Sequence, residues 1–137
     1  LGGHCEIGDF VYFGGLSAAH QFVRIGRQAM IAGVSGVRGD VIPYGLAGGD
    51  FAYLDGLNVV GMRRRGFSHQ RLKAVRDFYQ RLFHGGGVFA ERLAAVRPMA
   101  SLDPAIAEIL AFIDGGIKRP LCMPHNASGK TSERTQP

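Results

Sequence analysis

The first 42 residues, Leu1-GGHCEIGDFVYFGGLSAAHQFVRIGRQAMIAGVSGVRGDV-Ile42, carry a repeat of six. An apolar residue stands at every sixth position: Leu1, Ile7, Phe13, Ala19, Ile25, Ile31 and Val37. The second position of each unit is mostly glycine, and the fifth is small or β-branched: Cys5, Val11, Ser17, Val23, Ala29, Ser35 and Val41. This period matches neither an α-helix nor a simple strand.

Three such units close one triangular coil, so equivalent residues stack 18 positions apart: Leu1 over Ala19, Ile7 over Ile25, Phe13 over Ile31 and Ala19 over Val37. Backbone hydrogen bonds then run between coils, as in a parallel sheet. We interpret the second residue of each unit as the one that tolerates a turn. Residues 1–42 are therefore predicted to form a β-solenoid, the hexapeptide parallel β-helix, with a glycine-rich β-sandwich as the alternative. Because a solenoid needs about three repeats and caps, we expect further coils before Leu1.

The pattern changes after Pro43, which has no N–H to donate to a ladder. Residues 43–67 are predicted as a loop and connection. Residues 68–117 are predicted as a small all-α C-terminal domain of about three helices. The first is Ser68–His84 with Ser68 as N-cap, the second is Val88–Val96, and the third begins with Asp103 as N-cap before Pro104 and ends at Gly115-Gly116. Residues 118–137 are predicted to be a basic, disordered tail.

Composition narrows the function classes. The chain has 137 residues, a net charge of +5 and 46% apolar residues, which is enough for a packed core. Its longest uncharged stretch, residues 10–23, is too short to span a bilayer, and no signal-peptide pattern is present. Two cysteines make neither a disulfide scaffold nor a zinc site, so we expect a cytoplasmic location without a metal.

Charge is unevenly distributed along the chain. Residues 1–60 sum to −2 and residues 61–137 sum to +7. The basic half either faces an acidic partner or is merely solvated. No aromatic interleaving or groove-reading motif accompanies it, so nucleic acid is not expected as a partner.

A few polar residues are candidates for chemistry. His4 and His20 lie 16 positions apart, which we interpret as neighbouring corners of adjacent coils. Either imidazole is a candidate general base, or a polar group at a subunit contact. The run Arg63–Arg65 either binds phosphate oxygens through its guanidinium groups or forms a solvated turn. Gly33 leaves room for an apolar ligand or is a turn glycine.

Several segments together resemble the acyl-[acyl-carrier-protein]–UDP-N-acetylglucosamine O-acyltransferases of lipid A synthesis: LGGH at 1–4, AHQF at 19–22, GVSG at 33–36, GLN at 56–58 and GMRRRGFS at 61–68. The resemblance runs from residue 1 to about residue 124. It implies a left-handed β-helix and a homotrimer with active sites between neighbouring subunits. It also implies transfer of a 3-hydroxyacyl group from acyl carrier protein to the sugar 3-hydroxyl, with no cofactor beyond the carrier's phosphopantetheine.

The resemblance also implies roles for individual residues. Gly3 matches the oxyanion-hole amide, and His4 matches the active-site histidine that helps position substrate. His20 and Gln21 match the same cleft, Gln21 towards the nucleotide sugar. Asn58 matches a uridine contact, and Arg64 and Arg65 match groups near the phosphates. Gly33 matches the position that sets acyl-chain length, and Arg76 matches a carrier-protein docking position.

Two departures from the family pattern matter. The family's general-base histidine lies upstream of the Leu1–His4 segment, so neither His4 nor His20 takes its place. Val60 stands where some members carry an acidic residue near the uridine. Two alternatives remain: a non-catalytic fragment that trimerises or binds carrier protein, and another hexapeptide-repeat sugar acyltransferase.

Overall fold

The computed structural model describes residues 1–125, and short parallel strands dominate its first third. Six two-residue strands recur at intervals of about six: β1 Glu6–Ile7, β2 Tyr12–Phe13, β3 Ala18–Ala19, β4 Arg24–Ile25, β5 Met30–Ile31 and β6 Gly36–Val37. They pair in parallel as β1 with β4, β2 with β5 and β3 with β6. The predicted stacking is confirmed, because Ile7 pairs with Ile25, Phe13 with Ile31 and Ala19 with Val37.

The interior of the coils follows the hexad pattern. Ile25, Ile31 and Val37 are buried, and so are the small residues of the fifth position in the same coil. Leu1 and Ile7 belong to the first coil and are 75% and 40% exposed. Among the described residues, the second coil is therefore more deeply buried than the first.

The turn is made at a different position from the one predicted. A positive φ, between 55° and 66°, occurs at the fourth position of the first six units: His4, Phe10, Leu16, Phe22, Gln28 and Val34. The second-position glycine is required for close packing instead, because a Cβ on Gly8 would lie 2.6 Å from the backbone nitrogen of Arg27 in the next coil. Our interpretation of that glycine as the turn residue is wrong.

Residues 43–67 are more ordered than the predicted loop. Strand β7, Gly45–Gly48, adds in parallel to β5, and β8, Tyr53–Leu57, pairs antiparallel with β7. Helix α1, Val59–Arg64, follows directly. The coil edge supplies a hydrogen-bonding template here, so the glycine-rich segment becomes a strand pair without an alternating apolar pattern of its own.

The predicted helices are present. They are α2 His69–His84, α3 Phe89–Val96 and α4 Pro104–Asp114, with a 3₁₀ turn at Arg97–Ser101. Ser68 and Asp103 are side-chain N-caps, as predicted. Helix α2 buries one apolar face and packs against β8, α3 and α4. One apolar cluster contains buried residues of both the coils and the helices.

A three-residue network joins α4 to the coil. Glu108 accepts hydrogen bonds from Arg27 and from the Tyr44 hydroxyl, whose oxygen lies 2.6 Å from Glu108 Oε1. Burial alone would raise the pKa of Glu108, but the bonds from Arg27 and Tyr44 outweigh it, and the pKa is lowered. Helix α4 is thereby held against the second coil.

The predicted tail is packed where the structure describes it. Pro120 O accepts from Asp40 N at 2.8 Å, and Cys122 N donates to Asp40 O at 2.7 Å, so Leu121 forms a parallel β-bridge with Asp40 beside the last coil. The prediction of a disordered tail is wrong for residues 118–125, because the coil edge offers this segment backbone partners. The remainder of that tail lies outside the described residues.

Asp103 provides a prediction about pH. Arg71 donates to its carboxylate at 2.7 Å, and this bond, aided by the Ala105 N–H, lowers the pKa of Asp103 against the opposing effect of burial. A carboxyl whose pKa is depressed on folding stabilises the fold above its unfolded value, about 3.9, and loses that contribution as pH falls further. We expect Asp103→Asn to lose less stability than wild type between pH 5 and pH 2, roughly the interval on either side of that unfolded pKa. Urea unfolding at the two pH values measures this. Parallel losses in the two proteins would contradict this.

Candidate functional site

One corner of the coil brings together the first group of candidate residues. Gly3 O accepts from Phe22 N at 3.0 Å, and Cys5 Sγ lies 3.1 Å from His20 O. His4 and Phe22, 18 positions apart, stack with ring centroids 5.3 Å apart. His4 and His20 therefore lie at the same corner of adjacent coils, and the prediction of neighbouring corners is wrong because 16 residues is nearly one full coil.

The groups at this corner are open to ligands. His4, His20 and Gln21 have exposed side chains. The Gly3 N–H donates to no acceptor among residues 1–125, and a Cβ at Gly3 would meet no atom within 4 Å. A backbone donor beside an exposed imidazole is an arrangement that can bind a carbonyl or oxyanion.

Sequence reasoning missed two cations at this corner. Arg119 Nε donates to Gln21 O at 2.9 Å, and Lys118 Nζ lies 4.4 Å from the centroid of the Phe22 ring. Both belong to the segment that was predicted to be disordered. Its basic character was the only signal, and nothing in the sequence placed it against the coil.

A cavity of about 680 Å³ contains the second group of candidates. It lies between the outer face of the β2–β5–β7 sheet and helix α1, and its lining includes Asn58, Arg64 and Arg65. Its other walls are mainly aromatic and aliphatic: Phe10, Tyr12, Met30, Leu46, Leu57, Val59 and Val60. Two arginines at the edge of an apolar cavity suit a ligand with one flat apolar part and one anionic part.

The Asn58 side chain shapes this cavity by forming hydrogen bonds with two backbone groups. Its Oδ1 accepts from Gly61 N as the N-cap of α1, and its Nδ2 donates to Gln28 O, both at 3.1 Å. It thus holds the helix that carries Arg64 and Arg65 against the coil. Arg65 extends back over Phe10, with its guanidinium carbon 3.5 Å from the ring centroid.

Two further candidates lie outside both groups. Gly33 is exposed on the coil, where an added Cβ would lie 3.3 Å from Gly15 O. Arg76 is exposed on α2 and lines a cleft of about 370 Å³ with Arg63, His69, Leu72, Lys73, Asp77 and Gln80. That cleft is predominantly basic, as expected of a surface for an acidic partner.

The structure therefore brings Gly3, His4, His20 and Gln21 to one corner, and Asn58, Arg64 and Arg65 to a separate cavity. Among residues 1–125, no group of three His, Cys, Asp or Glu side chains is arranged to hold a metal ion. No helix in that range is long and apolar enough to cross a membrane. Cys122 is buried, and burial raises the pKa of its thiol to about 12, which disfavours a nucleophilic role.

The stacked six-residue units place the chain in the class of hexapeptide-repeat β-helix proteins. Residues 40–122 match the family model described as "Udp N-acetylglucosamine O-acyltransferase; Domain 2". The chain belongs to this family.

Individual relatives agree with this assignment. The chain is 46% identical, over 91% of its length, to an acyl-[acyl-carrier-protein]–UDP-N-acetylglucosamine O-acyltransferase of Paracoccus denitrificans, covering 47% of that protein. It is 60% identical to the protein of that name in Azorhizobium caulinodans over 64% of the chain and 32% of the relative. The chain spans about half the length or less of these curated relatives.

Solved structures show the same fold. A Francisella novicida UDP-N-acetylglucosamine acyltransferase superimposes with a TM-score of 0.86 at 28% identity, over 93% of this chain and 46% of that one. The Arabidopsis UDP-N-acetylglucosamine acyltransferase gives 0.83 at 34% identity, over 89% and 46%. The expected β-helix is thereby supported at the level of fold.

Proposed function

We propose that this chain acts within an O-acyltransferase that moves a 3-hydroxyacyl group from acyl carrier protein to the 3-hydroxyl of UDP-N-acetylglucosamine, the first step of lipid A synthesis. The observation that carries the proposal is the pairing of an open Gly3–His4 corner with an arginine-edged cavity in a member of this family. In this proposal the coils turn left-handed, and residues 68–117 form the small all-α unit that follows them.

The reaction is an acyl transfer through a tetrahedral intermediate. A general base removes the proton from the sugar hydroxyl, the oxygen attacks the thioester carbonyl, and the carrier's phosphopantetheine thiol leaves. We assign the Gly3 N–H to the oxyanion and His4 to substrate positioning, with His20 and Gln21 in the same cleft. The base is a histidine upstream of Leu1 in the longer protein to which we propose this chain belongs.

The cavity is the proposed nucleotide side of the site. Arg64 and Arg65 donate to the diphosphate, and Asn58 is placed on the uridine side. Because this cavity and the Gly3–His4 corner lie apart on one chain, the proposed homotrimer would join them across a subunit boundary. Gly33 is the proposed chain-length position, and its lack of a side chain favours a longer acyl group than a bulky residue would allow.

The remaining partners follow from charge and reaction. Arg76 and its basic cleft are the proposed docking surface for the acidic carrier protein. No metal or other cofactor is proposed, because the acyl donor arrives as an activated thioester. The substrates are intracellular metabolites, so we propose a cytoplasmic enzyme.

Acyl transfer tests this proposal directly. The chain alone, and the coding sequence extended upstream of the Leu1 codon, are incubated with 3-hydroxyacyl carrier protein and UDP-N-acetylglucosamine, and the product is identified by mass. Product formed by the extended protein but not by the 137-residue chain supports the proposal. Carrier-protein binding without product from either supports the non-catalytic alternative, and transfer only to another sugar supports a different hexapeptide acyltransferase.

Arg64→Ala is expected to weaken UDP-N-acetylglucosamine binding. Losing one charge-assisted contact costs about 1.5–3 kcal/mol, which raises Kd roughly 10- to 150-fold. Isothermal titration of the extended protein measures this. Arg63→Ala is the matched control, because Arg63 lines the other cleft and not this cavity. Unchanged affinity in Arg64→Ala, or an equal loss in both variants, removes Arg64 from the site.

A further inference from the structure

Gln28 carries an unpartnered polar atom beside the cavity. The residue is only 5% exposed and lines the cavity wall, yet its side-chain oxygen Oε1 is buried without a hydrogen-bond partner. Its side chain makes no hydrogen bond with any of residues 1–125. A buried acceptor without a donor is costly, and such groups in native proteins call for an explanation.

The backbone of Gln28 is fixed by hydrogen bonds on both its N–H and its carbonyl, so its side chain starts from a well-defined position. Its N–H donates to Asp9 O at 2.8 Å, and its carbonyl accepts from Asn58 Nδ2 at 3.1 Å. Phe10, Leu16 and Val34 stand at the equivalent position of other coil units and are 56–90% exposed. Gln28 is buried because the Asn58–α1 segment covers it.

The other polar groups of the cavity are committed differently. Asn58 already uses Oδ1 for Gly61 N and Nδ2 for Gln28 O. Arg64 and Arg65 carry only donors, which suit phosphate oxygens. Val60, at 60% exposure on the same rim, offers no polar side-chain atom. Gln28 is therefore the side chain in this wall that offers an uncommitted amide, with both an acceptor and donors.

We propose that Gln28 binds the pyrimidine edge of the nucleotide sugar, its Oε1 accepting the imide N–H and its Nε2 donating to an adjacent carbonyl. The final torsion of glutamine is soft, so the amide can turn its oxygen into the cavity when a donor arrives. The flat apolar walls fit a base, while the arginines are positioned for phosphates. This inference rests on the proposed function and names a specificity residue for it.

The test combines one variant with one altered ligand. Affinities for UDP-N-acetylglucosamine and its N3-methyluridine analogue are measured by titration in the extended protein and in Gln28→Leu, which keeps the size but not the amide. In wild type, methylation is expected to weaken binding at least about 10-fold, because it removes the donor that meets Oε1. In Gln28→Leu the parent ligand should weaken by a similar factor, and the two ligands should bind within about two-fold of each other.

Controls separate this inference from the proposed function and from a folding effect. Met30→Leu changes an apolar residue of the same cavity and should retain the wild-type preference for the unmethylated ligand. Thermal unfolding of Gln28→Leu should match or exceed wild type, because an unpartnered buried polar group is removed. A methylation penalty that persists in Gln28→Leu overturns the role of Gln28, even if Arg64→Ala still weakens binding. Failure of wild type to bind UDP-N-acetylglucosamine overturns the proposed function itself.

Discussion

Asp40→Ala is expected to lower the free energy of unfolding by about 3–5 kcal/mol, the range for removing one partner of a buried ion pair. Asp40 is 2% exposed, and its carboxylate accepts from both the backbone N and the side-chain Nε of Arg24, at 2.9 and 3.0 Å. Arg24 also donates to Phe112 O at the end of α4. Removing the carboxylate leaves a largely buried guanidinium unpaired at the junction of coil and helix.

Urea unfolding of wild type and variants measures this effect. Asp114→Ala is the matched control, because Asp114 forms a similar ion pair with Arg97 but both side chains are about half exposed. Solvated pairs contribute little, so this variant should unfold as wild type does. Asp40→Asn should lie between the two, since it keeps an acceptor for Arg24 N but loses the charge. Equal midpoints for Asp40→Ala and Asp114→Ala would show that burial adds nothing to the Arg24–Asp40 pair.

The coil register and the helix starts could be predicted from the sequence because each depends on local chemistry. The period of six fixes which residues stack, and the pairing of Ile7 with Ile25 follows directly. Ser68 and Asp103 are helix N-caps because their side chains reach the first backbone N–H groups of their own helices. None of these features requires knowledge of a distant partner.

The segments that were mispredicted depend on distant partners. Strand β7 forms because β5 presents an unpaired edge, and residues 120–122 are ordered because Asp40 offers its backbone N–H and C=O. Neither segment has a periodic apolar pattern from which its structure could be predicted. The positive φ at His4 and its equivalents was missed for another reason, since glycine at the second position looked like the turn residue.

The candidate site also contains some residues that local motifs identify and others that depend on distant partners. Short motifs were enough to nominate His4, Asn58 and Arg64, and their catalytic and binding roles remain proposals. The burial of Gln28 and the contact of Arg119 with Gln21 O depend on the Asn58–α1 segment and the C-terminal segment folding over the coil. Such contacts join residues far apart in the sequence, so no spacing rule could have found them.

Gly26→Ala is expected to destabilise the protein by about 3 kcal/mol, at the upper end of the usual cost of overpacking. An added Cβ would lie 2.4 Å from Pro43 N and 2.6 Å from Pro43 Cα, and these are backbone atoms that cannot rotate away. Backbone contacts hold both sides of this approach, because Gly26 N donates to Val41 O at 2.8 Å and Tyr44 N donates to Arg27 O at 2.9 Å.

Relief of that contact requires the two coil levels to move apart, which would break the backbone bonds between them and loosen the buried Ile25. Gly86→Ala is the matched control, because a Cβ there meets no atom within 4 Å and the substitution should leave the urea midpoint within error. A Gly26→Ala protein as stable as Gly86→Ala would mean that the coils can separate locally at little cost. The second-position glycines would then not be explained by coil-to-coil packing.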